Sequence, residues 1–472
     1  FLIVLGMIGQ LSSCDYLDIV PDERAQESDT WKTEGAVRGY LYSCYGYLPA
    51  NRTFGNSYWL AEELTAVTKE LFTTFKYGYY SPVSLGFTSN TWSTIWNGIH
   101  QCYMFQESLK QVSNEYVTDE MKKQYLAESN FLIAYYHFLS MRSYGPTMII
   151  RSVIDLETPI SGFPERSSID EVVAFINEKL DEAMSEGGLP TTWSGKDYGR
   201  ATRLAALALK SRVYLYAASP LYNGNTEMYA DFRSPLDGRQ LIAQEKSQAK
   251  WEISATQTKY AIDEVEKAKF HLYHDADAGE PSDAKPGLPN KAQRRLRYTN
   301  IDNQTGNNPE IIWADTRNDD YYGIQRRCPP RQTLGGKFAG ISMTNCPTLQ
   351  TIEAFYTKNG LPINKDKTFD YDERYEYISA PENCDGNNYE DLVKYANFTP
   401  SSDKVMRLCT DREPRFYAWT TYHNGYFEFG KYNNEEISAD PAKRAIRIHL
   451  LRDDPHGRGN RTDQEYSISG FG

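Results

Sequence analysis

The stretch Glu128-Ser129-Asn130-Phe131-Leu132-Ile133-Ala134-Tyr135-Tyr136, running on to Tyr144-Gly145-Pro146, carries a strong helical period. Phe131, Ala134, Tyr135, Phe138 and Leu139 recur three and four apart, so a helix presents them on one face. Gly145-Pro146 ends it, because proline cannot continue the hydrogen-bond ladder. A second helix is expected over Ala201–Ser219, where Leu204, Ala208 and Leu215 join Ala201, Ala205, Ala217 and Ala218 and Pro220 is the stop. Its many alanines allow close packing. Further helices are expected near Glu34–Leu48, Thr91–Val112, Ile169–Ser185 and Ser254–Lys269, the third opened by Ser168 as a cap. Residues 30–270 therefore read as a set of antiparallel helices.

From about residue 271 the character changes. Gly, Pro, Asn and Asp crowd Asp275–Asn290 and again Asn300–Pro309. Ile311-Ile312-Trp313-Ala314 reads as a short strand, and Arg331–Asn345 as a Gly-rich loop. Long ordered loops on a rigid scaffold are where binding surfaces sit, so specificity is expected in this half.

A chain of 472 residues can bury a large core. Its 51 Lys and Arg against 63 Asp and Glu leave a formal charge of -12, which argues against broad binding of nucleic acid or anionic lipid. The local cluster Lys291, Arg294, Arg295 and Arg297 reads as solvated loop charge. Tyrosine is the compositional outlier, with 36 Tyr beside 8 Trp and 20 Phe. A phenol offers a flat apolar face with a polar tip, which suits stacking against polar ligands. The cysteines Cys14, Cys44, Cys102, Cys328, Cys346, Cys384 and Cys409 show no C-x-x-C spacing, so neither a zinc ribbon nor a redox motif is indicated and no pairing is fixed.

The chain opens on an apolar run, Phe1 to Ile8, that leads to Leu11-Ser12-Ser13-Cys14. The run has the length of a signal-peptide core and is too short to span a bilayer. The tetrad looks like a lipobox, which would make Cys14 the lipidated first residue of the mature protein. A buried strand or a frayed terminus is the other reading of the same residues. No comparable apolar run follows, so a lipid on Cys14 would be the only membrane contact.

Several further segments carry a resemblance. Cys14-Asp15-Tyr16-Leu17-Asp18-Ile19-Val20-Pro21 is similar to a lipidated cysteine followed by a short acidic and apolar motif. Glu128–Tyr136 with Tyr144-Gly145-Pro146 is similar to a helix of the form EA-x-FLRA-x-YY ending in YG-x-x-P. Gly199-Arg200-Ala201-Thr202-Arg203, continuing to Pro220, matches a GRAT helix. Asn359-Gly360-Leu361-Pro362-Ile363 and Asp411-Arg412-Glu413-Pro414-Arg415-Phe416-Tyr417 look like KNGLPI and RDPRF segments. In this order they resemble the SusD/RagB family of outer-membrane lipoproteins of Bacteroidota. Ile133 stands where that family usually has arginine, and Glu413 where it usually has aspartate. A closing motif similar to RLAE-x-YL-x-YAEA is missing before Gly472, so the sequence is expected to lack the family's last helical hairpin.

The resemblance implies a mainly α protein: a scaffold of tetratricopeptide-like helical hairpins with a loop-rich lobe laid on it. Residues 1–13 would be a signal-peptide remnant and 14–30 a lipidated acidic tether. Residues 31–472 would form a single domain, with the scaffold mainly in 31–270 and the ligand-binding lobe mainly in 271–472. It also implies a cell-surface lipoprotein of the outer membrane that binds oligosaccharides or, in some branches, peptides. Its partner would be a SusC-like TonB-dependent transporter, and neither catalysis nor a cofactor is implied.

A glycan site needs aromatic platforms flanked by amide, carboxylate or guanidinium groups. Phe72–Trp96 fits, with Tyr77, Tyr79, Tyr80, Asn90 and Trp92; Trp92 and Trp96 are four apart and would share a helical face. Trp96 reads as core, and Trp92 is open between platform and core. The second segment is Trp313–Arg327, with Trp313, Asp315, Arg317, Tyr321 and Tyr322; Tyr321 and Tyr322 are expected to be exposed, with at least one lining the site. A helical glycoside hydrolase is the competing class, but the adjacent Asp319-Asp320 does not define two carboxylates across a bond. His271-x-x-His274 lacks an evident third metal ligand, and no G-x-S-x-G, H-E-x-x-H or P-loop occurs.

Overall fold

The computed structural model describes residues 31–49, 63–66, 87–155, 157–274, 277, 291–301, 308–317, 333–334, 337–338, 345–379, 404–428, 445–448 and 469–471. The chain divides into two compact units, one of residues 1–48, 92–193 and 200–264, the other of 49–91, 194–199 and 265–472. The fold is mainly α, as the sequence predicts. Among the described residues no helix is long and apolar enough to cross a membrane.

The first unit is built on helices α1 (Glu34–Tyr45), α2 (Phe87–Leu109), α3 (Asp119–Tyr144), α4 (Ile169–Ala183), α5 (Arg203–Ala218) and α6 (Gln248–Lys267). Helix α3 is central and packs against α1, α4 and α5. Its start is fixed by Thr118, whose hydroxyl accepts from Met121 N, and by Asp119 and Glu120 in the first turn. It ends at Gly145, in the left-handed region at φ 73°. The period in its sequence suggests one apolar face, but Phe131, Leu132, Ile133, Ala134, Tyr136, Phe138, Leu139 and Met141 are all buried. Helices thus surround α3 on more than one side. Helix α2 approaches so closely that a Cβ at Gly98 would lie 2.7 Å from the Tyr136 ring. Tyr136 in turn donates to the Cys44 carbonyl at 2.6 Å.

Helix α4 shows the plainest amphipathic logic. Ile169, Val172, Val173, Ile176, Leu180 and Ala183 are buried at helical spacing, behind a capping box in which Ser168 and Glu171 satisfy each other's backbone donors. Helix α5 departs from expectation. Its buried row is Ala206, Leu209, Val213 and Ala217, and the opposite side carries a half-exposed Leu215. Helices α2 and α6 begin earlier than the sequence suggests, at Phe87 and Gln248 rather than Thr91 and Ser254.

Two segments far apart in sequence are tied by a buried ion pair. Glu128 on α3 is fully buried, and its carboxylate accepts from Arg200 Nε at 3.2 Å and from Arg200 Nη2. Tyr45 donates to the same carboxylate at 2.5 Å and accepts from Ala201 N at 2.9 Å. The Arg200 guanidinium lies 4.0 Å from the Trp193 ring centroid. Burial, reinforced by Glu128, raises the Tyr45 phenol well above its ordinary value, so it stays a donor.

The second unit carries short helices and two-stranded pairs. Helix α7 (Lys291–Ile301) packs on α9 (Pro414–Trp419), and α8 (Leu349–Ala354) contributes Ile352 to a core with Ile363, Phe369, Val405, Leu408, Phe416 and Tyr422. The basic cluster expected as solvated loop lies on α7, with Arg297 buried, because the helix needs an inner face and Arg297 falls on it. The antiparallel pairs are β1 (Leu64–Ala66) with β4 (Asn345–Pro347), β2 (Thr333–Leu334) with β3 (Lys337–Phe338), β5 (Tyr377–Ser379) with β6 (Lys404–Met406), β7 (Thr420–Tyr422) with β10 (Ser469–Phe471), and β8 (Tyr426–Glu428) with β9 (Ala445–Arg447). The Gly-rich stretch Arg331–Asn345 therefore contains the β2–β3 ladder. Ile311–Ala314 is not a strand; Ile311 N closes a turn onto Asn308 O at 3.3 Å.

The Asn359–Ile363 segment is a tight reversal with Gly360 at φ 73°. Asp366 fastens it, accepting from the Thr357 hydroxyl at 2.6 Å, the Asn359 amide at 3.0 Å and Thr368 N at 2.9 Å. These bonds, that from Thr357 foremost, hold the Asp366 carboxyl far below the ordinary range. Arg412 is buried, and among the described residues no carboxylate pairs with it. Its guanidinium donates to the carbonyls of Leu408, Ile352 and Phe355 at 2.6, 2.7 and 2.7 Å, closing the end of α8. Cys44, Cys102, Cys346 and Cys409 are buried.

Candidate functional site

In the first unit the candidate platform is Trp92, a half-buried ring near the start of α2. Helical spacing sets Trp92 and Trp96 on one face with centroids 5.3 Å apart. Trp92 also meets Tyr144, at the last turn of α3, edge to face at 4.9 Å. Trp96 continues the wall to His137 at 6.0 Å. It is half-buried rather than fully core, and its indole nitrogen is shielded from solvent with no hydrogen-bond partner among the described residues. Trp92 is thus braced by two rings, while its neighbours Ser93 and Thr94 are exposed.

In the second unit Trp313, Asp315 and Arg317 share one stretch. The Trp313 indole donates to the Gly199 carbonyl at 2.8 Å. Arg317 grips Asp315 through Nε at 2.8 Å and Nη2 at 2.7 Å, and Nη2 also donates to the Pro49 carbonyl at 2.9 Å. Asp315 is exposed and Arg317 half-buried, so the bidentate pair sits at the surface beside a half-buried indole. Gly199 is required here. It holds φ 99°, and a Cβ would meet the Thr316 hydroxyl at 2.7 Å. The sequence reading placed Gly199 in a helix motif and missed its part in seating Trp313; the signal was a glycine just before a helix start.

Asn90 lies on α2, and nothing of its side chain is described. Tyr77, Tyr79, Tyr80, Tyr321, Tyr322 and Cys14 lie outside the described residues. Of the predicted set, the structure brings together Asp315 and Arg317, with Trp313 two residues before Asp315 in the same unit, and Trp92 belongs to the other unit. His271 and His274 stack at 5.3 Å, and among the described residues no group of three or more His, Cys, Asp or Glu could hold a metal ion. A cleft of about 390 Å³ at the start of α4 is lined by Ser168, Asp170 and Gln240–Glu245, without an aromatic ring.

Comparison with known proteins bears on what such platforms serve. Residues 15–215 match a family described as starch-binding, associating with the outer membrane, and residues 309–466 match the SusD family. No curated protein matches the chain in sequence. The solved structure of BT4246 is 26% identical, with a TM-score of 0.70 over 93% of this chain and 72% of its own. A SusD-like protein from Bacteroides fragilis is 19% identical, with a TM-score of 0.61 over 95% of this chain and 69% of its own, a likeness of fold. The two family matches in chain order, and the helical fold shared with these structures, show that the chain belongs to the SusD/RagB family.

Proposed function

We propose that the protein is a carbohydrate-binding protein of the outer membrane that captures oligosaccharides by aromatic stacking and delivers them to a SusC-like TonB-dependent transporter. The observation that carries this reading is the match of residues 15–215 to a family described as starch-binding and associated with the outer membrane. The described geometry supports it: Trp92 and Trp313 are half-buried rings held in fixed orientation, and the exposed Asp315 lies in a bidentate pair beside Trp313. A rigid ring loses little entropy when a sugar stacks on it, and a paired carboxylate and guanidinium suit hydroxyl groups at the sugar's rim.

On this reading residues 31–472 form a single domain, and Trp92, Tyr77, Tyr79, Tyr80, Asn90, Trp313, Asp315, Arg317, Tyr321 and Tyr322 each contribute to ligand binding. Cys14 carries the lipid anchor, and the protein binds without cleaving. Affinity electrophoresis in gels containing starch, laminarin, xyloglucan or galactomannan tests it, with an assay for released reducing ends alongside. Retardation without reducing ends is the expected result. Turnover that disappears in Asp319→Asn or Asp320→Asn would establish an enzyme, and binding confined to peptides would move the ligand class.

A further inference from the structure

Tyr371, Arg374, Tyr375 and Glu353 form a second aromatic and charged cluster in the second unit, apart in sequence from Trp313–Arg317. The Arg374 guanidinium lies between two phenol rings, 4.0 Å from the Tyr371 centroid and 4.3 Å from that of Tyr375. Arg374 Nε donates to Glu353 Oε1 at 2.8 Å, and the Tyr375 hydroxyl donates to the same oxygen. Arg374 Nη1 donates to the Tyr371 carbonyl at 2.9 Å. Tyr375 is therefore restrained on its face and at its tip, yet it remains 43% exposed.

The hydrogen-bond account is also incomplete. Among the described residues, Glu353 Oε2 accepts no bond and Arg374 Nη2 donates none. An unoccupied acceptor on a carboxylate and an unoccupied donor on the guanidinium bonded to it face the requirement of two neighbouring sugar hydroxyls, one donating and one accepting. Burial acts to raise Glu353, but the bonds from Tyr375 and Arg374 lower it below the ordinary range, so the acceptor stays ionised. The bond to Glu353 raises the Tyr375 phenol, which keeps its proton.

We infer that Tyr375, Arg374 and Glu353 form a saccharide subsite, with the Tyr375 ring as platform and the Glu353–Arg374 pair reading a vicinal diol. This rests on the carbohydrate-binding reading above and extends it to a surface outside the two predicted segments. The subsite is rigid before the ligand arrives, so binding costs little ordering.

Two measurements test it. In gels containing the four glycans named above, Tyr375→Ala is expected to weaken binding of a glycan retained by the unsubstituted protein by about ten-fold, and Tyr375→Phe by less, since the platform remains. The second uses the unsubstituted protein: a saturating amount of a retained glycan should slow tetranitromethane nitration of Tyr375 several-fold while leaving Tyr260, 41% exposed in the first unit, unchanged. Unchanged affinity in Tyr375→Ala together with unchanged nitration of Tyr375 would remove the subsite and leave carbohydrate binding intact. Failure of every glycan to retard the unsubstituted protein would remove both.

Discussion

His137 is sealed inside the helical unit, with Phe175 edge-on at 4.7 Å and Trp96 at 6.0 Å. Its Nδ1 lies 2.8 Å from the Ile133 carbonyl and its Nε2 accepts from Ile150 N at 3.3 Å, so the neutral ring with the proton on Nδ1 satisfies both. Burial lowers its pKa from 6.5 to about 4, and Lys179 and Arg151 lower it further against the opposing Ile133 bond. The unfolded chain then binds a proton that the folded chain refuses between these values. Stability from this residue is complete above about pH 6.5, falls as the pH drops toward 4, and amounts to about 3 kcal/mol in all. Urea midpoints measured across pH 4 to 7 should show this slope, and His137→Gln should flatten it. Arg200 makes a sharper case. Arg200→Ala would take the guanidinium away from the buried Glu128 carboxylate, at a cost of about 3 to 5 kcal/mol read from the denaturation midpoint.

Elements were legible where one face alone is buried. Helix α4 was placed almost to the residue because its apolar spacing and the Ser168 cap agree. Ser168→Ala should lower stability by about 1 kcal/mol in the same denaturation experiment. The period of α3 is legible in sequence, but its burial on more than one side is not, since a central helix lacks a continuous polar face to mark its orientation. Leu215 does not fit the expected apolar face of α5, because the inner row of Ala206, Leu209, Val213 and Ala217 lies on the opposite side. The close approach of α2 and α3 could not be read either, as nothing in sequence says that Gly98 meets Tyr136. Gly98→Ala forces the Tyr136 ring to shift and should cost about 1 to 3 kcal/mol, with a lowered melting temperature as the measure.

At the scale of the whole molecule, the order of motifs was more informative than any one of them. Glu128 and Gly199–Arg203 are far apart in sequence, yet Arg200 neutralises Glu128, and Gly199 admits Thr316. Binding residues are harder to read, because a ring's exposure is decided by what the tertiary structure brings behind it. Trp92 was open between platform and core, and Tyr144 and Trp96 settle it as half-buried. Tyr375 drew no notice, because its partner Glu353 is distant in sequence.

The most direct test of the central claim is affinity electrophoresis of the unsubstituted protein, Trp92→Ala and Trp313→Ala on the glycan panel. The account predicts that at least one polysaccharide retards the unsubstituted protein without releasing reducing ends. It also predicts that each substitution weakens that retention by about ten-fold while the fold is kept. Migration of the unsubstituted protein unaltered by every polysaccharide would contradict it.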